Sequence, residues 1–256
     1  MASNPPGKCC TVGVKHEGKA TGEMKMVGDV ETYFAYPASK DPTNAILILT
    51  DVIGHAFLNA QLIADQFAAN GYLVAMPDLF AHDAVPLNYS STGFSLPAWL
   101  RHHDVAATEP IVTALITYLR SDAVGVKNLG AVGYCFGAKY VVRALAPQPG
   151  GGDQQKKIQA AYVAHPSFVD AEELARIAAP LSIAAAETDE IFTVEKRHES
   201  EKILAGVGQP YRLVLYSGVA HGFAVRGDPS KPDARAAKEE AFLQAVNWFD
   251  RFVKRA

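Results

Sequence analysis

Cysteine is scarce in this sequence, because its 256 residues contain only three. Cys9 and Cys10 are adjacent near the beginning of the chain, and Cys135 stands alone. An odd number of cysteines with one adjacent pair is not a disulfide framework, so we expect a reducing, cytoplasmic setting. Since no histidine or further cysteine lies at ligand spacing around the pair, the sequence predicts no metal site.

Long apolar runs at the beginning of the chain and clusters of basic residues are also missing. Residues 1–12 contain no apolar run, so we expect a flexible N-terminus rather than a secretory signal or a membrane anchor. A net charge of −3, from 24 basic and 27 acidic residues, predicts no nucleic-acid partner. We expect a globular protein with a small-molecule partner, present as a monomer or a homodimer.

Short apolar runs alternate with helical patterns along the chain. The apolar runs predict strands at residues 45–50, 72–80, 129–134, 159–166, 180–189 and 211–220. Helical spacing of apolar residues predicts helices between them, for example over residues 59–70 and 105–120. This alternation predicts an α/β fold with a mostly parallel central sheet and helices on both faces.

No composition break divides this pattern into separate units. The loop-like stretch at residues 147–157 is interpreted as a surface excursion, and no repeat of fixed period occurs. We therefore expect residues 1–256 to form a single domain. Residues 81–104 show no clean periodicity and are rich in aromatic residues and histidine, which favours a position over the carboxyl ends of the strands.

Cys135 lies between two glycines in Gly-Tyr-Cys-Phe-Gly, directly after a predicted strand and before a predicted helix. One explanation is a small buried thiol in a tight turn. From the surroundings of Cys135 alone, this structural explanation is as good as a functional one. The alternative is a nucleophile on a sharp strand-to-helix turn, where neighbouring side chains would not fit and glycine is required. This second interpretation needs an acid and a base elsewhere in the chain.

The acid and the base occur where the fold would place them. Asp189 follows one predicted strand, and His221 follows the next. The order nucleophile, acid, histidine is the one found in α/β hydrolases, and carboxyl ends of parallel strands meet at one edge of the sheet. Cys135, Asp189 and His221 are therefore the candidate catalytic residues.

With these residues in place, the chain resembles the dienelactone hydrolase family of the α/β-hydrolase superfamily. The resemblance spans about residues 31–252, and its motifs are Gly-Tyr-Cys-Phe-Gly-Ala at 133–138, Pro-Asp-Leu-Phe at 77–80, Asp189, and Ala-His-Gly-Phe-Ala-Val-Arg-Gly-Asp at 220–228. It implies an α/β-hydrolase fold with a cysteine nucleophile.

The resemblance also implies the role of each site residue. Cys135 would be the nucleophile, His221 the base and then the acid, and Asp189 the group that orients His221. The backbone N–H groups of Val52 and Phe136 would form the oxyanion hole.

The chain departs from the family in two places. The family carries a glutamate before the oxyanion residue, beside the resting thiol, where this chain has the shorter Asp51. We expect Asp51 to influence how readily Cys135 ionises. The family also binds a substrate carboxylate with two arginines, where this chain has His82 and Val225. Arg226 lies one place further, and on an extended backbone its side chain would point to the opposite face.

The remaining candidates for the substrate pocket come from the strand exits and the segment before the first long helix. The set of possible pocket residues is His82, Trp99, His165, Phe223 and Arg226. A structural histidine with its own hydrogen bonds is an equally good interpretation of His165. Ordinary packing is an alternative for the aromatic residues.

Taken together, the resemblance implies a carboxymethylenebutenolidase-like hydrolase of an activated ester or lactone. It would work through an acyl-enzyme thioester and would need no cofactor. Two alternatives stay open. One is a catalytically weak ligand-binding or receptor-type protein that keeps the hydrolase pocket, and the other is a thiol-dependent acyl transferase.

Overall fold

The structure is a computed structural model that describes residues 1–89, 93–147 and 158–255. Its eight strands are β1 Glu23–Val27, β2 Val30–Ala35, β3 Asn44–Leu49, β4 Leu73–Pro77, β5 Asn128–Tyr134, β6 Ala160–Ala164, β7 Leu181–Thr188 and β8 Tyr211–Ala220. Most of the predicted surface loop at 147–157 falls on residues 148–157 and lies outside the described residues.

The eight strands form one sheet in the order β1-β2-β4-β3-β5-β6-β7-β8. Strands β3 to β8 are parallel to one another, whereas β1 and β2 are antiparallel additions at one edge. The parallel strands read as apolar runs because both of their faces are covered, and β3, β4, β5 and β6 are almost wholly buried. The predicted α/β fold with a mostly parallel sheet is confirmed.

Strands β1 and β2 were not among the strands predicted from the sequence. Four of the five residues of β1 are exposed, and charged residues alternate with methionine along it, so it has no buried apolar face. Such an edge strand is held by its ladder of hydrogen bonds with β2 rather than by core packing.

Two groups of helices cover the two faces of the sheet. The helices are α1 Leu58–Ala69, α2 Leu96–His102, α3 Val105–Arg120, α4 Gly137–Ala144, α5 Ala171–Ala175, α6 Val194–Gly206, α7 Phe223–Arg226 and α8 Pro232–Phe252. Helices α1, α7 and α8 pack together, and α3, α4, α5 and α6 form the second group. None of the helices within the described ranges is long and apolar enough to cross a membrane.

Residues 1–14 are called the N-terminal segment below, and the first twelve of them are not the loose tail that we expected. Ala2, Ser3 and Cys10 are buried, and Lys8–Thr11 forms a short 3₁₀ helix. The backbone N–H of Ser3 donates to the carbonyl of Val169 at 3.0 Å. The expectation was wrong because this segment gains its order from hydrogen bonds to distant loops, and such contacts leave no periodic pattern in the sequence.

Candidate active site

The three candidate catalytic residues follow three parallel strands. Cys135 comes directly after β5, Asp189 directly after β7, and His221 directly after β8. Parallel strands place their carboxyl ends at the same edge of the sheet, so residues 54 and 32 positions apart in the chain meet there. The three side chains are buried together at this edge.

Cys135 occupies a strained turn between β5 and α4. Its φ of 48° lies in the left-handed region, which residues other than glycine rarely adopt. A Cβ at Gly137 would overlap the carbonyl of Leu49, and one at Gly133 would lie 2.7 Å from Cα of Ala138. The two glycines therefore let the backbone turn sharply, and the turn places the sulfur beside the N-terminus of α4.

His221 connects the thiol to the carboxylate. Its Nε2 lies 3.2 Å from Sγ of Cys135, and its Nδ1–H donates to both carboxylate oxygens of Asp189 at 2.9 and 3.0 Å. Asp189 is fixed in turn by the backbone N–H groups of Ile191 and Phe192, which donate to its Oδ1. The thiol, the imidazole and the carboxylate thus form a continuous chain of contacts.

The charged forms of Cys135, His221 and Asp189 stabilise one another. Burial alone would raise the pKa of Cys135, but a hydrogen bond with Cys10 and the charge of His221 bring it well below its ordinary value. Burial opposes a charge on His221 too, yet the Cys135 thiolate and the bond to Asp189 raise its pKa to about 10. At neutral pH this favours a thiolate beside an imidazolium, the reactive form of a cysteine nucleophile.

The backbone N–H groups of the two predicted oxyanion donors, Val52 and Phe136, are not used in other hydrogen bonds of the described residues. The carbonyl of Val52 accepts from Val85 at 2.8 Å, which holds the loop after β3 in place. Both residues are fully buried. Their role as an oxyanion hole stays a proposal.

Cys10 is a member of the site that the sequence analysis did not find. Its Sγ lies 3.3 Å from Nε2 of His221, on the same nitrogen that contacts Cys135. Hydrogen bonds with Cys135 and Cys9, together with burial, raise the pKa of Cys10 well above its ordinary value, so its sulfur keeps its proton. A cysteine beside another in an aperiodic segment carries no sequence signal for this position.

Asp51 and Arg226 form a buried ion pair next to the thiol. The Nη1 of Arg226 donates to Oδ2 of Asp51, and the backbone N–H of Ile53 donates to Oδ1 at 3.0 Å. Burial raises the pKa of Asp51 in spite of this partner. That Asp51 influences the thiol stays a prediction, for which the alkylation rate of Cys135 in an Asp51→Asn variant is the measurement.

The expectation that Arg226 points away from the site was wrong. Residues Phe223–Arg226 form the short helix α7 rather than an extended segment, and this turns the Arg226 side chain inward. The residue is only 2% exposed, and its Nε also donates to the carbonyl of Val12. The sequence analysis assumed an extended backbone because four residues are too few for a helical period.

The other predicted pocket residues divide into two groups. His82 is on the surface, with 68% of its side chain exposed and its ring beside Asp78. Trp99 is buried on α2, where its ring packs on Phe80 and Phe136 and its Nε1–H donates to the carbonyl of Asp83. Trp99 therefore borders the site through Phe136, whereas His82 lies on the surface.

His165 and Phe223 lie against the candidate base. The ring of His165 is 5.0 Å from that of His221 and 5.9 Å from that of Phe223. Burial lowers the pKa of His165 to about 4, so the ring is neutral. A hydrogen bond with the Cys135 thiol opposes the effect of burial on this pKa, and neither nitrogen of His165 has another hydrogen-bond partner among the described residues.

The N-terminal segment covers the site. A cavity of about 660 Å³ lies between this segment and the loop that carries His221. Cys135 itself has no exposed surface. In this conformation the sulfur is closed off from solvent, and the N-terminal segment is one of the elements around it.

Comparison with solved structures identifies the fold. A dienelactone hydrolase from Anabaena variabilis superposes with a TM-score of 0.64 at 15% identity, covering 93% of this chain and 100% of that one. A thermophilic esterase from Thermogutta terrifontis superposes with a TM-score of 0.60 at 16% identity, covering 86% and 92%. The fold, with its sharp turn between β5 and α4, is that of an α/β hydrolase.

Sequence comparison identifies the family. A hydrolase from Aspergillus violaceofuscus, pyvD, is 47% identical over the whole length of both chains. The hydrolase tropI from Talaromyces stipitatus is 48% identical over 99% of each chain, and a dienlactone hydrolase from Gibberella moniliformis is 32% identical over 100% of this chain and 97% of its own. The model of the dienelactone hydrolase family matches residues 30–253. The chain belongs to this family, whose members act on lactone or ester bonds.

Proposed function

We propose that this protein hydrolyses an activated ester or lactone with Cys135 as nucleophile, through an acyl-enzyme thioester. The observation that carries the proposal is the contact chain in which Nε2 of His221 lies 3.2 Å from the sulfur while its Nδ1 is held by Asp189. An orienting carboxylate, a base and a nucleophile within hydrogen-bond reach are the parts that covalent acyl transfer requires.

The reaction follows from these contacts. The Cys135 thiolate adds to the acyl carbon, and the N–H groups of Val52 and Phe136 stabilise the oxyanion that forms. The imidazolium of His221 then gives its proton to the leaving oxygen as the carbon–oxygen bond breaks. In the second half, neutral His221 takes a proton from water, the water oxygen attacks the thioester, and the Cys135 thiolate leaves.

A sulfur nucleophile limits the classes of ester that the protein can hydrolyse. A tetrahedral adduct expels its better leaving group, and a thiolate leaves more readily than a simple alkoxide. The adducts of ordinary alkyl esters should therefore revert to substrate, whereas those of enol lactones, aryl esters and thioesters should proceed to the acyl-enzyme.

The three free cysteines support a reducing, cytoplasmic location, which cell fractionation would test.

Trapping the acyl-enzyme tests the proposal directly. Rapid acid quenching during turnover of an aryl ester with a slowly hydrolysed acyl group should leave that group on the Cys135 peptide, as mapped by mass spectrometry. The Cys135→Ala variant should carry none. Acylation of Cys10 instead, or turnover with no trapped thioester, would contradict the mechanism. Binding of the ester without any turnover would favour the alternative function, a ligand-binding or receptor-type protein.

The charges around the thiol determine which substrates fit. A carboxylate that enters a buried site loses its hydration, and this loss has to be offset by a cation with no other partner. Arg226, a buried cation at the site, is already paired with Asp51 through Nη1, although its Nη2 has no hydrogen-bond partner among the described residues. Of the two family arginine positions, His82 is on the surface and Val225 is a buried aliphatic residue.

We therefore expect uncharged acyl substrates to be preferred over anionic lactones. The measurement compares kcat/KM for a carboxylated enol lactone with that for its methyl ester, which has the same leaving group. The ester should be the better substrate. A tenfold preference for the anion, roughly 1.4 kcal/mol in transition-state binding, would show that Arg226 leaves Asp51 and binds the substrate.

A further inference from the structure

Two thiols share one imidazole nitrogen in this site. Sγ of Cys135 and Sγ of Cys10 lie 3.2 and 3.3 Å from Nε2 of His221, and the three atoms are all within 4.8 Å of one another. The proposed hydrolysis uses only one of these sulfurs. Cys10 is nevertheless fully buried in the site, on a short 3₁₀ helix of the N-terminal segment.

We propose that Cys10 is a resolving cysteine, which forms a reversible disulfide with Cys135 after a peroxide has oxidised the nucleophile. The inference needs a reactive thiolate at Cys135 and does not depend on which acyl substrate the protein hydrolyses. Thiolates react with peroxides, and a second thiol beside the resulting sulfenic acid converts it to a disulfide before further oxidation occurs.

The first step consumes one peroxide. The Cys135 thiolate attacks one peroxide oxygen, the oxygen–oxygen bond breaks, and the departing hydroxide takes the proton of the His221 imidazolium to become water. Sulfur is oxidised to sulfenic acid, and peroxide is reduced. His221 is left neutral, with Nε2 free to accept a proton.

The second step uses the contact between His221 and Cys10. Nε2 accepts the proton of the Cys10 thiol across 3.3 Å, and the Cys10 sulfur attacks the sulfenic sulfur. The sulfur–oxygen bond breaks, and the hydroxide leaves as water with the proton that His221 returns. The sum is two thiols and one peroxide giving one disulfide and two waters.

The sulfur atoms of Cys10 and Cys135 can approach each other because the two residues belong to segments of different kinds. Cys135 is fixed by the turn between β5 and α4, whereas Cys10 belongs to a four-residue helix near the beginning of the chain. The two sulfurs must approach to about 2.05 Å. A disulfide would remove the nucleophile and tie the N-terminal segment across it, and a dithiol reductant would restore both thiols by exchange.

Cys9 offers a matched control because it is adjacent to Cys10 but does not contact His221 by hydrogen bond in the described residues. It is only partly buried and lines the cavity rather than the thiol pair. If proximity to Cys135 and His221 is what matters, oxidation should select Cys10 over Cys9. A chance surface disulfide would show the opposite preference.

The experiment treats the protein with a severalfold molar excess of hydrogen peroxide in the presence of a chelator, followed by intact mass measurement and non-reducing peptide mapping. The wild type and Cys9→Ala should each lose the mass of two hydrogen atoms, carry a Cys10–Cys135 link, and lose activity that dithiothreitol restores. Cys10→Ala should instead gain two or three oxygen atoms on Cys135 and lose activity irreversibly. Cys10→Ser serves as a second variant if the alanine variant is unstable.

The outcome that overturns the proposal is equally visible by mass, without any assay of turnover. A Cys9–Cys10 or Cys9–Cys135 link in the wild type would assign the reactivity to the wrong thiol. Direct formation of sulfinic acid on Cys135 in the wild type would show that Cys10 does not resolve it. A parallel sample without chelator completes the test, since a loss of activity that occurs only there, with no change in the mass of the protein, would indicate capture of a metal ion by the three ligand atoms instead.

Discussion

Replacing Cys135 with alanine should abolish hydrolysis, lowering kcat for an aryl ester on the order of 10⁴–10⁶-fold, as loss of the nucleophile does in serine hydrolases. The physical reason is that the covalent route disappears, while the oxyanion donors and the base that remain accelerate the attack of water only weakly. The measurement is steady-state turnover of one aryl ester by variant and wild type under the same conditions. Far-ultraviolet circular dichroism checks that the variant is folded.

The control for this prediction is Cys10, since it is the other thiol on the same imidazole. Cys10→Ala removes the hydrogen bond that helps to lower the pKa of Cys135, so turnover should fall, but far less than in Cys135→Ala, because the nucleophile and the charge of His221 remain. Only Cys135 also sits on the strained turn, at the N-terminus of α4. Retained hydrolysis in Cys135→Ala together with its loss in Cys10→Ala would transfer the nucleophile to the N-terminal segment.

The arrangement of the candidate triad was predictable from the sequence because it depends on topology. Apolar runs mark buried parallel strands, and residues directly after them meet at one edge of the sheet. Cys135, Asp189 and His221 each follow such a run, so their meeting needed no knowledge of side-chain packing. The glycines on either side of Cys135 predicted the turn for a similarly local reason, since a Cβ at either position would meet other atoms.

The surroundings of the thiol were not predictable in this way. Cys10 reaches the site through hydrogen bonds such as those of Ser3 and Thr11 with distant loops, and these have no sequence period. Arg226 turns inward on a helix of four residues, too short to show helical spacing. Both errors concern segments whose conformation is decided by tertiary contacts rather than by a local pattern.

Replacing Asp189 with asparagine should leave the fold intact and lower kcat on the order of 10²–10⁴-fold. The carboxylate holds Nδ1–H of His221 at 2.9 Å, is buried, and itself accepts two backbone N–H groups. It thereby fixes the ring so that Nε2 faces the sulfur and stabilises the imidazolium of the resting ion pair. An amide carries no charge, so the pKa of His221 should fall and that of Cys135 should rise.

The pH profile separates this orienting role from a purely structural one. In Asp189→Asn, the pH at which Cys135 becomes reactive towards iodoacetamide should shift upward, because the thiolate loses part of the positive charge that stabilises it. Glu187→Gln is the matched control: Glu187 is at the end of the same strand, is exposed, and accepts from the backbone of Gly218, which an amide oxygen also does. That variant should keep the wild-type rate and profile. Wild-type turnover in Asp189→Asn, with an unshifted alkylation profile, would mean that His221 is oriented by another group.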